Sequence, residues 1–145
     1  MTARTWSSLM ASIAVLAAGG TAARADDALS AALRGVVEAN LAAYDRKDAD
    51  ATLQTIDRDS PGYQDTQQAL AGLQDLRVDS QLVEFRYIGH DDEFAVARVK
   101  TRTTAEPGQS DFVDNTVDSI MIFHQEDGRW KLWSEEVLGV DIAPK

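Results

Sequence analysis

The sequence predicts an α+β domain in which about three helices precede a four-stranded antiparallel sheet. In the first half of the chain, apolar residues recur at intervals of three and four, the period of a helix with one buried face. After Leu76 they alternate with polar residues, the period of a half-buried strand, and short turn sequences separate four such runs. Helices followed by strands, rather than alternating with them, predict the α+β class.

The first 25 residues predict a cleavable signal peptide. Arg4 supplies a basic start, an uncharged run with an apolar centre follows, and Ala23-Arg24-Ala25 places small residues at both positions that a signal peptidase reads. The apolar centre at residues 9–18 is shorter than the about 20 residues of a membrane-spanning helix. We therefore expect cleavage after Ala25, a periplasmic or secreted protein, and one domain over residues 26–145.

The charge of the chain argues against two classes of partner, and its cysteine content excludes disulfide bonds. The chain has 24 acidic residues against 14 lysines and arginines, a net charge of −10, and the signal peptide carries only basic charges. Nucleic acids and anionic membranes repel such a chain, so we expect neither as a partner after cleavage. The chain has no Cys, so no disulfide supports the fold and the core alone must stabilise it.

Three helices are predicted before residue 77. The first has a buried stripe that also contains Asn40 and is formed by Leu29, Leu33, Val36, Val37, Leu41 and Tyr44. The charged turn at residues 45–48 ends it, and Asp48 caps a second short helix that reaches Ile56. Ser60-Pro61 is a good start for a third helix, because serine accepts an orphan amide and proline has none to lose. Its inward residues are predicted to be Tyr63, Leu70, Leu73 and Leu76.

Four strands follow, joined by short turns. On the first strand, Val83, Phe85 and Tyr87 alternate with polar residues and are predicted to face inward. The second strand covers residues 94–104, and one face of it carries Ala95, Ala97, Val99 and Thr101. The third covers residues 112–124 and the fourth residues 129–140. The Asp127-Gly128 pair between them is a strong hairpin signal, so consecutive strands should pair antiparallel.

Three segments of the chain are distinctive: Ala-Tyr-Asp-Arg-Lys-Asp at 43–48, Ile-Asp-Arg-Asp-Ser-Pro-Gly-Tyr at 56–63, and Asp-Gly-Arg-Trp-Lys-Leu-Trp at 127–133. In this order and spacing they resemble the NTF2-like superfamily, which includes ketosteroid isomerases and SnoaL-type cyclases. The second segment is similar to an Asp-Ser-Pro-x-Tyr motif in an exported bacterial subgroup, mostly of unknown function. The resemblance implies a cystatin-like cone, with a curved sheet around the helices and a pocket at the open end. It does not fix a function.

The resemblance also indicates where an isomerase would carry its chemistry. Ketosteroid isomerase pairs a carboxylate base with hydrogen-bond donors for the enolate oxygen. The matching donor position on helix one falls near Asn40, and the base position near Gln64 or Asp65. On the third strand, Asp114 and Asp118 are further carboxylate candidates.

Those two aspartates share a face with Thr116 and with the apolar Phe112, Ile120 and Ile122. Such a face fits a strand running from a pocket mouth into the core, and equally a strand with one solvated end. Because no complete set of acid and base is evident, the sequence favours a protein that is not an enzyme.

Pocket and interface residues are also predicted. Asn40 and Tyr44 lie one helical turn apart and are candidates for a pocket wall, with Tyr63 and Tyr87 as further lining residues; Tyr44 is otherwise a core aromatic. Trp130 and Trp133 have an odd separation and should lie on opposite faces of the last strand. Trp133 is then either an anchor of a homodimer interface or a singly exposed aromatic.

The two histidines, His90 and His124, fall at predicted hairpin tips, where polar residues are expected without any metal. We expect no metal site and no cofactor. The function hypothesis is therefore an exported domain that binds a small apolar ligand or a protein partner without catalysis. The alternatives are a cofactor-free isomerase or dehydratase, and a dimeric interaction module.

Overall fold

The computed structural model describes residues 19–72, 75–108 and 112–143. It contains, in chain order, α1 (Gly19–Asp45), α2 (Ala49–Gln54), α3 (Tyr63–Gly72), β1 (Val78–His90), β2 (Phe94–Ala105), β3 (Asn115–Glu126) and β4 (Arg129–Ile142). The four strands form one sheet in the order β1-β2-β3-β4, and every neighbouring pair is antiparallel. The predicted α+β class and the meander are confirmed.

Helix α1 packs its predicted stripe against the sheet. Leu33 and Val37 are fully buried, and Leu29, Val36 and Leu41 pack around them. The turn at the end of α1 includes Lys47 with a positive φ, after which the Asp48 carboxylate accepts a 3.0 Å hydrogen bond from the Ala51 amide. The predicted cap of α2 is therefore confirmed.

Helix α3 begins at Tyr63, later than the predicted start at Ser60-Pro61. The residues before it form successive turns: the Ser60 amide donates to the carbonyl of Asp57, and the Tyr63 amide donates to the carbonyl of Ser60. Because these residues form turns, the first hydrogen bond of the helix is the one from the Thr66 amide to the carbonyl of Gly62. Leu70 is buried as predicted, Leu76 lies beyond the helix, and Leu73 lies outside the described residues.

The core lies between α1 and the inner face of the sheet. On β2, the small residues Ala95, Ala97 and Val99 are fully buried, as the alternation predicts. On β3, the buried face carries Ser119, Met121 and Phe123. Of the two orientations that the sequence leaves open for the face with Ile120 and Ile122, the one that leads into the core is not observed, because β3 pairs with β2 in a register that places its odd-numbered residues on the inner face.

Strand β1 contains bulges that the alternation did not predict. Leu82 pairs with Thr101 and Glu84 with Lys100, so Val83 is an extra residue without a partner. Because a bulge shifts the alternation by one residue, Leu82 and Phe85 pack on the core, whereas Val83 is 56% exposed. The inward orientation predicted for Val83 is therefore wrong, and that predicted for Phe85 and Tyr87 is confirmed.

Strand β4 has two more bulges, at Trp133 and at Leu138. Trp130 packs against the core. The segment after α2 lies along the first part of β4: Ile56 forms a parallel bridge with Leu132, whose amide and carbonyl bond to residues 55 and 57. Bulges bend the strands that contain them, which is consistent with the curved sheet.

Candidate functional site

A cavity of about 410 Å³ lies between the helices and the β3–β4 side of the sheet. This is within the size range of sites that bind small molecules. The chain forms it from α1, the α2–α3 segment, β3 and β4, with the lining residues Asn40, Tyr44, Thr52, Ile56, Ser60, Gly62, Thr66, Ala69, Leu70, Met121, Leu132, Trp133, Ser134 and Glu135. The exposed Gly62 and Glu135 mark its opening to solvent.

One wall of the cavity is polar and internally bonded. The Asn40 side-chain amide donates to the Thr55 hydroxyl at 2.7 Å, and that hydroxyl donates to the carbonyl of Thr52 at 2.6 Å. The Thr52 hydroxyl in turn donates to the carbonyl of Asp48. These bonds fix the orientation of the Asn40 side chain, so that this wall is preorganised.

Tyr44 stands one turn after Asn40 and also lines the cavity. Burial, and secondarily the negative charge of Asp45, raise the pKa of the Tyr44 hydroxyl above its usual 10.0. The hydroxyl is therefore protonated at neutral pH and can donate a hydrogen bond. The Lys47 ammonium lies 4.9 Å from the centre of its ring, a cation–π contact that holds the ring in place.

The opposite wall is apolar and includes Leu70, Met121 and Leu132. Trp133 adds an aromatic surface where β4 bulges. The only carboxylate among the lining residues is that of Glu135, and it belongs to an exposed residue at the opening. The cavity thus joins an apolar surface to a few fixed hydroxyl and amide groups, which suits an amphipathic ligand.

The three carboxylates predicted as bases lie elsewhere. Asp65 is exposed in the first turn of α3. Asp114 accepts a 2.8 Å hydrogen bond from the Ala105 amide. Asp118 binds the Arg98 guanidinium through both carboxylate oxygens, at 2.8 and 2.6 Å, and this hydrogen bonding lowers the pKa of Asp118. None of the three lines the cavity.

Of the four predicted pocket residues, the structure brings Asn40 and Tyr44 together in the cavity. Tyr63 is half-buried beside the lining residue Gly62 but does not line the cavity itself. The Tyr87 hydroxyl is hydrogen-bonded to His90 Nδ1, near the β1–β2 turn.

A buried cluster attaches the segment at residues 55–60 to the β3–β4 hairpin. Asp57 is 0% exposed; one carboxylate oxygen lies 2.7 Å from His124 Nδ1, and the other accepts the Asp59 amide at 2.8 Å. Glu126 accepts the Arg58 amide and is also bonded to the Lys131 ammonium. We call Asp57, His124, Glu126 and Lys131 the clamp. Since residues 56 and 60 line the cavity, the clamp holds one of its walls.

Aromatic rings cover the clamp. The His124 ring centre is 4.8 Å from that of Phe94 and 5.0 Å from that of Trp133, and Phe94 and Trp133 make an edge contact at 5.7 Å. Trp133, predicted as an interface anchor, thus packs within its own chain. In the described residues, no group of three or more His, Asp or Glu is placed to hold a metal ion.

Sequence reasoning missed the clamp because Asp57 and His124 are 67 positions apart. Neither has a neighbour in sequence that indicates a partner. The nearest signal was the run of charged residues around Asp57 at the break between the two helices, where a buried carboxylate is unexpected.

Comparison with known proteins adds a family and a fold. The model of a family described as the C-terminal domain of the anti-sigma-I factor RsgI9 matches residues 35–142. A comparison with curated proteins gave no match.

Solved structures are similar in fold. An NTF2-like protein of unknown function from Shewanella oneidensis MR-1 has 12% identity, a TM-score of 0.58, and an alignment covering 74% of this chain and 97% of that one. A cystatin-like protein of unknown function from Nostoc punctiforme has 13% identity, a TM-score of 0.60, and coverage of 78% and 90%. Rv3472(D26N) from Mycobacterium tuberculosis, also of unknown function, has 12% identity, a TM-score of 0.66, and coverage of 83% and 76%. At such identities the likeness establishes the fold alone, and that fold is NTF2-like.

Proposed function

This chain belongs to the family of the C-terminal domain of the anti-sigma-I factor RsgI9, and we propose that it is a binding domain for a small amphipathic molecule, without catalysis. The observation that carries the proposal is the cavity, with Asn40 and Tyr44 as fixed polar groups facing an apolar wall. A protonated Tyr44 and the Asn40 amide would bind the polar end of the ligand, and Leu70, Met121 and Leu132 its apolar part.

Catalysis of the isomerase or dehydratase type has less support. Such a reaction needs a carboxylate that faces the substrate from within the cavity. Glu135 is exposed at the opening, and Asp118 has a lowered pKa because Arg98 binds it, the opposite of what a base active near neutral pH needs. The matching family is described as a domain of an anti-sigma factor, and this description favours binding over the catalytic turnover of a substrate.

We further propose that the domain is exported after cleavage at Ala25. Residues 22–28 of α1 are exposed, and the first α1 residue packed against the core is Leu29. Cleavage there would remove none of the core residues in the part of the chain that the structure describes, so their packing would be kept. Among the described residues, no helix is long and apolar enough to cross a membrane.

Tryptophan fluorescence tests the proposed cavity. Trp133 lines it, whereas Trp130 packs on the core outside it. In a variant that combines Trp6→Phe and Trp130→Phe, Trp133 is the remaining tryptophan. Titration with a panel of fatty acids, sterols and aromatic acids should change its emission for at least one compound. The ligand should also raise the melting temperature, since binding at 100 times Kd adds about 2.7 kcal/mol to the free energy of unfolding.

A blocked cavity provides the control. Ala69→Phe fills the cavity from its exposed rim without adding a tryptophan and should abolish binding, and Tyr44→Phe should weaken binding by removing the hydrogen-bond donor. If ligands bind equally well to Ala69→Phe, they occupy another surface and the proposal fails. Failure of every compound to bind, in a folded protein, would also refute it.

A further inference from the structure

The last strand exposes a free backbone edge. β4 is at the end of the sheet order, and residues 55–57 cover its outer edge only at Leu132. From Ser134 to Ile142, no backbone hydrogen bond reaches this edge from any residue that the structure describes. We call residues 134–142 the open edge. Unpaired amide and carbonyl groups of this kind are a template for another strand.

The open edge is also apolar. Seven large apolar side chains in the described ranges are exposed, and four of them lie here: Val137 at 52%, Leu138 at 54%, Val140 at 52% and Ile142 at 66%. Scattered exposed apolar residues need no explanation, but four within six positions form a patch, and apolar patches mark interaction sites. The other sheet edge differs, since the exposed large apolar residues of β1 are Val83 and Ile88, each at a bulge.

Charge decides which partner fits. The open edge carries Glu135, Glu136 and Asp141, and no Lys or Arg occurs from residue 132 to residue 144. If a second copy paired antiparallel with most of this stretch, Glu135 or Glu136 would stand opposite or next to Asp141 of the other copy. Like charges facing each other across a strand pair are destabilising, so self-pairing is disfavoured and a basic strand is favoured.

We propose that the open edge binds an extended segment of a partner protein, alternating apolar and basic residues, as a fifth strand. Val137, Val140 and Ile142 lie on the inner face of β4, and Glu136 and Asp141 lie on its outer face. The backbone of the partner would supply the missing ladder bonds, its apolar side chains would cover the three apolar residues, and its basic side chains would pair with the two acids. This is the strand-addition mode of peptide recognition. The proposal does not rest on a ligand in the cavity, although Ser134 and Glu135 belong to both surfaces.

A peptide alternating valine and lysine tests the proposal on the purified protein. Binding should protect amides of residues 134–142 from hydrogen exchange. It should also weaken when the ionic strength is raised from about 0.15 M to about 1 M, which shortens the Debye length from about 8 to about 3 Å. Glu136→Lys combined with Asp141→Lys should weaken binding about tenfold, because both acids lie on the face that meets the lysines. Asp92→Lys, which changes the charge of an exposed turn instead, is the control and should leave binding unchanged.

Two further peptides separate strand addition from simple charge attraction. A peptide with the same side chains but N-methylated backbone amides on the edge facing β4 should not bind, and a valine–glutamate peptide should not bind either. Equal binding of either one, or protection elsewhere than residues 134–142, would overturn the proposal. A concentration-dependent dimer that Val140→Lys disrupts would also overturn it, because a second copy would then be the occupant.

Discussion

The two halves of β4 differ more than any two strands of the sheet. In the first half, Lys131 is buried, Trp130 packs on the core, and Leu132 is bonded to the segment after α2. In the second half, every residue from Ser134 to Ile142 is exposed and the outer edge is free within the described structure. One strand therefore provides both the support of the cavity and a candidate docking edge, because the helices and the clamp reach only part of its length.

The largest loss of stability is expected beside the covered half of β4, on the neighbouring strand β3. Phe123, the partner of Leu132 on β3, is fully buried, and Phe123→Ala should lower the free energy of unfolding by about 3–5 kcal/mol through lost packing and a cavity. The corresponding truncation on the open half, Val137→Ala, should change the free energy of unfolding by no more than about 0.5 kcal/mol. Urea titrations compare the two. Similar losses would mean that the open half is covered in solution.

The second-largest loss of stability is expected from a change in the clamp. Asp57→Ala removes a fully buried carboxylate that accepts the Asp59 amide and faces His124, and we expect a loss of about 3 kcal/mol. Faster hydrogen exchange at residues 55–60 should accompany it, because this segment loses its side-chain contact with His124 on β3 and keeps there only the bond from the Arg58 amide to Glu126. Asp59→Ala, an exposed neighbour, is the control. Unchanged exchange at residues 55–60 would show that the backbone bridge to Leu132 suffices.

A smaller effect is expected on the pH dependence of the free energy of unfolding. The Lys131 hydrogen bond is the main reason why the pKa of Glu126 lies below its usual 4.5. A carboxylate with a lowered folded-state pKa stabilises the fold above its unfolded pKa, and this contribution is lost as the pH falls from about 4.5 through the folded value. The free energy of unfolding of Glu126→Gln should therefore depend less on pH than that of the wild type as the pH falls from about 4.5 through the folded-state pKa of Glu126. Val137→Ala on the open half removes no titratable group and should keep the wild-type slope.

The smallest effect is expected on the open edge itself. Glu136→Gln and Asp141→Asn should each change the free energy of unfolding by less than about 0.5 kcal/mol, since both residues are exposed and neither side chain is hydrogen-bonded within the described part of the chain. Analytical ultracentrifugation of the double variant should reveal more self-association than in wild type, because the repulsion between edges is reduced. No change would mean that other features keep copies apart.

Local patterns predicted most of the fold. The three-and-four spacing located α1, the Asp48 side chain located the start of α2, and the Asp127-Gly128 pair located the last hairpin. Both turn residues have positive φ angles, which an Asp-Gly pair tolerates well. These features depend on neighbours in sequence, which is why sequence reasoning reached them.

The candidate site was predicted only in part. Asn40 and Tyr44 could be placed on one face of α1 because a helix has a fixed period. The bulges at Val83 and Trp133 could not be predicted, since an extra residue depends on how two strands pair and leaves no mark in the alternation. The same applies to Asp114 and Asp118, whose backbone and Arg98 partners come from a neighbouring strand.

The sequence by itself determined the α+β class, the order of the helices and strands, the net charge of −10 and the absence of disulfides, because composition and periodicity are properties of the chain alone. Only the tertiary structure decided which polar residues meet. It joined Asp57 to His124, placed Trp133 beside the cavity, and left residues 134–142 uncovered. These outcomes depend on strand register and on where each helix ends against the sheet, and both are set by packing between segments far apart in sequence.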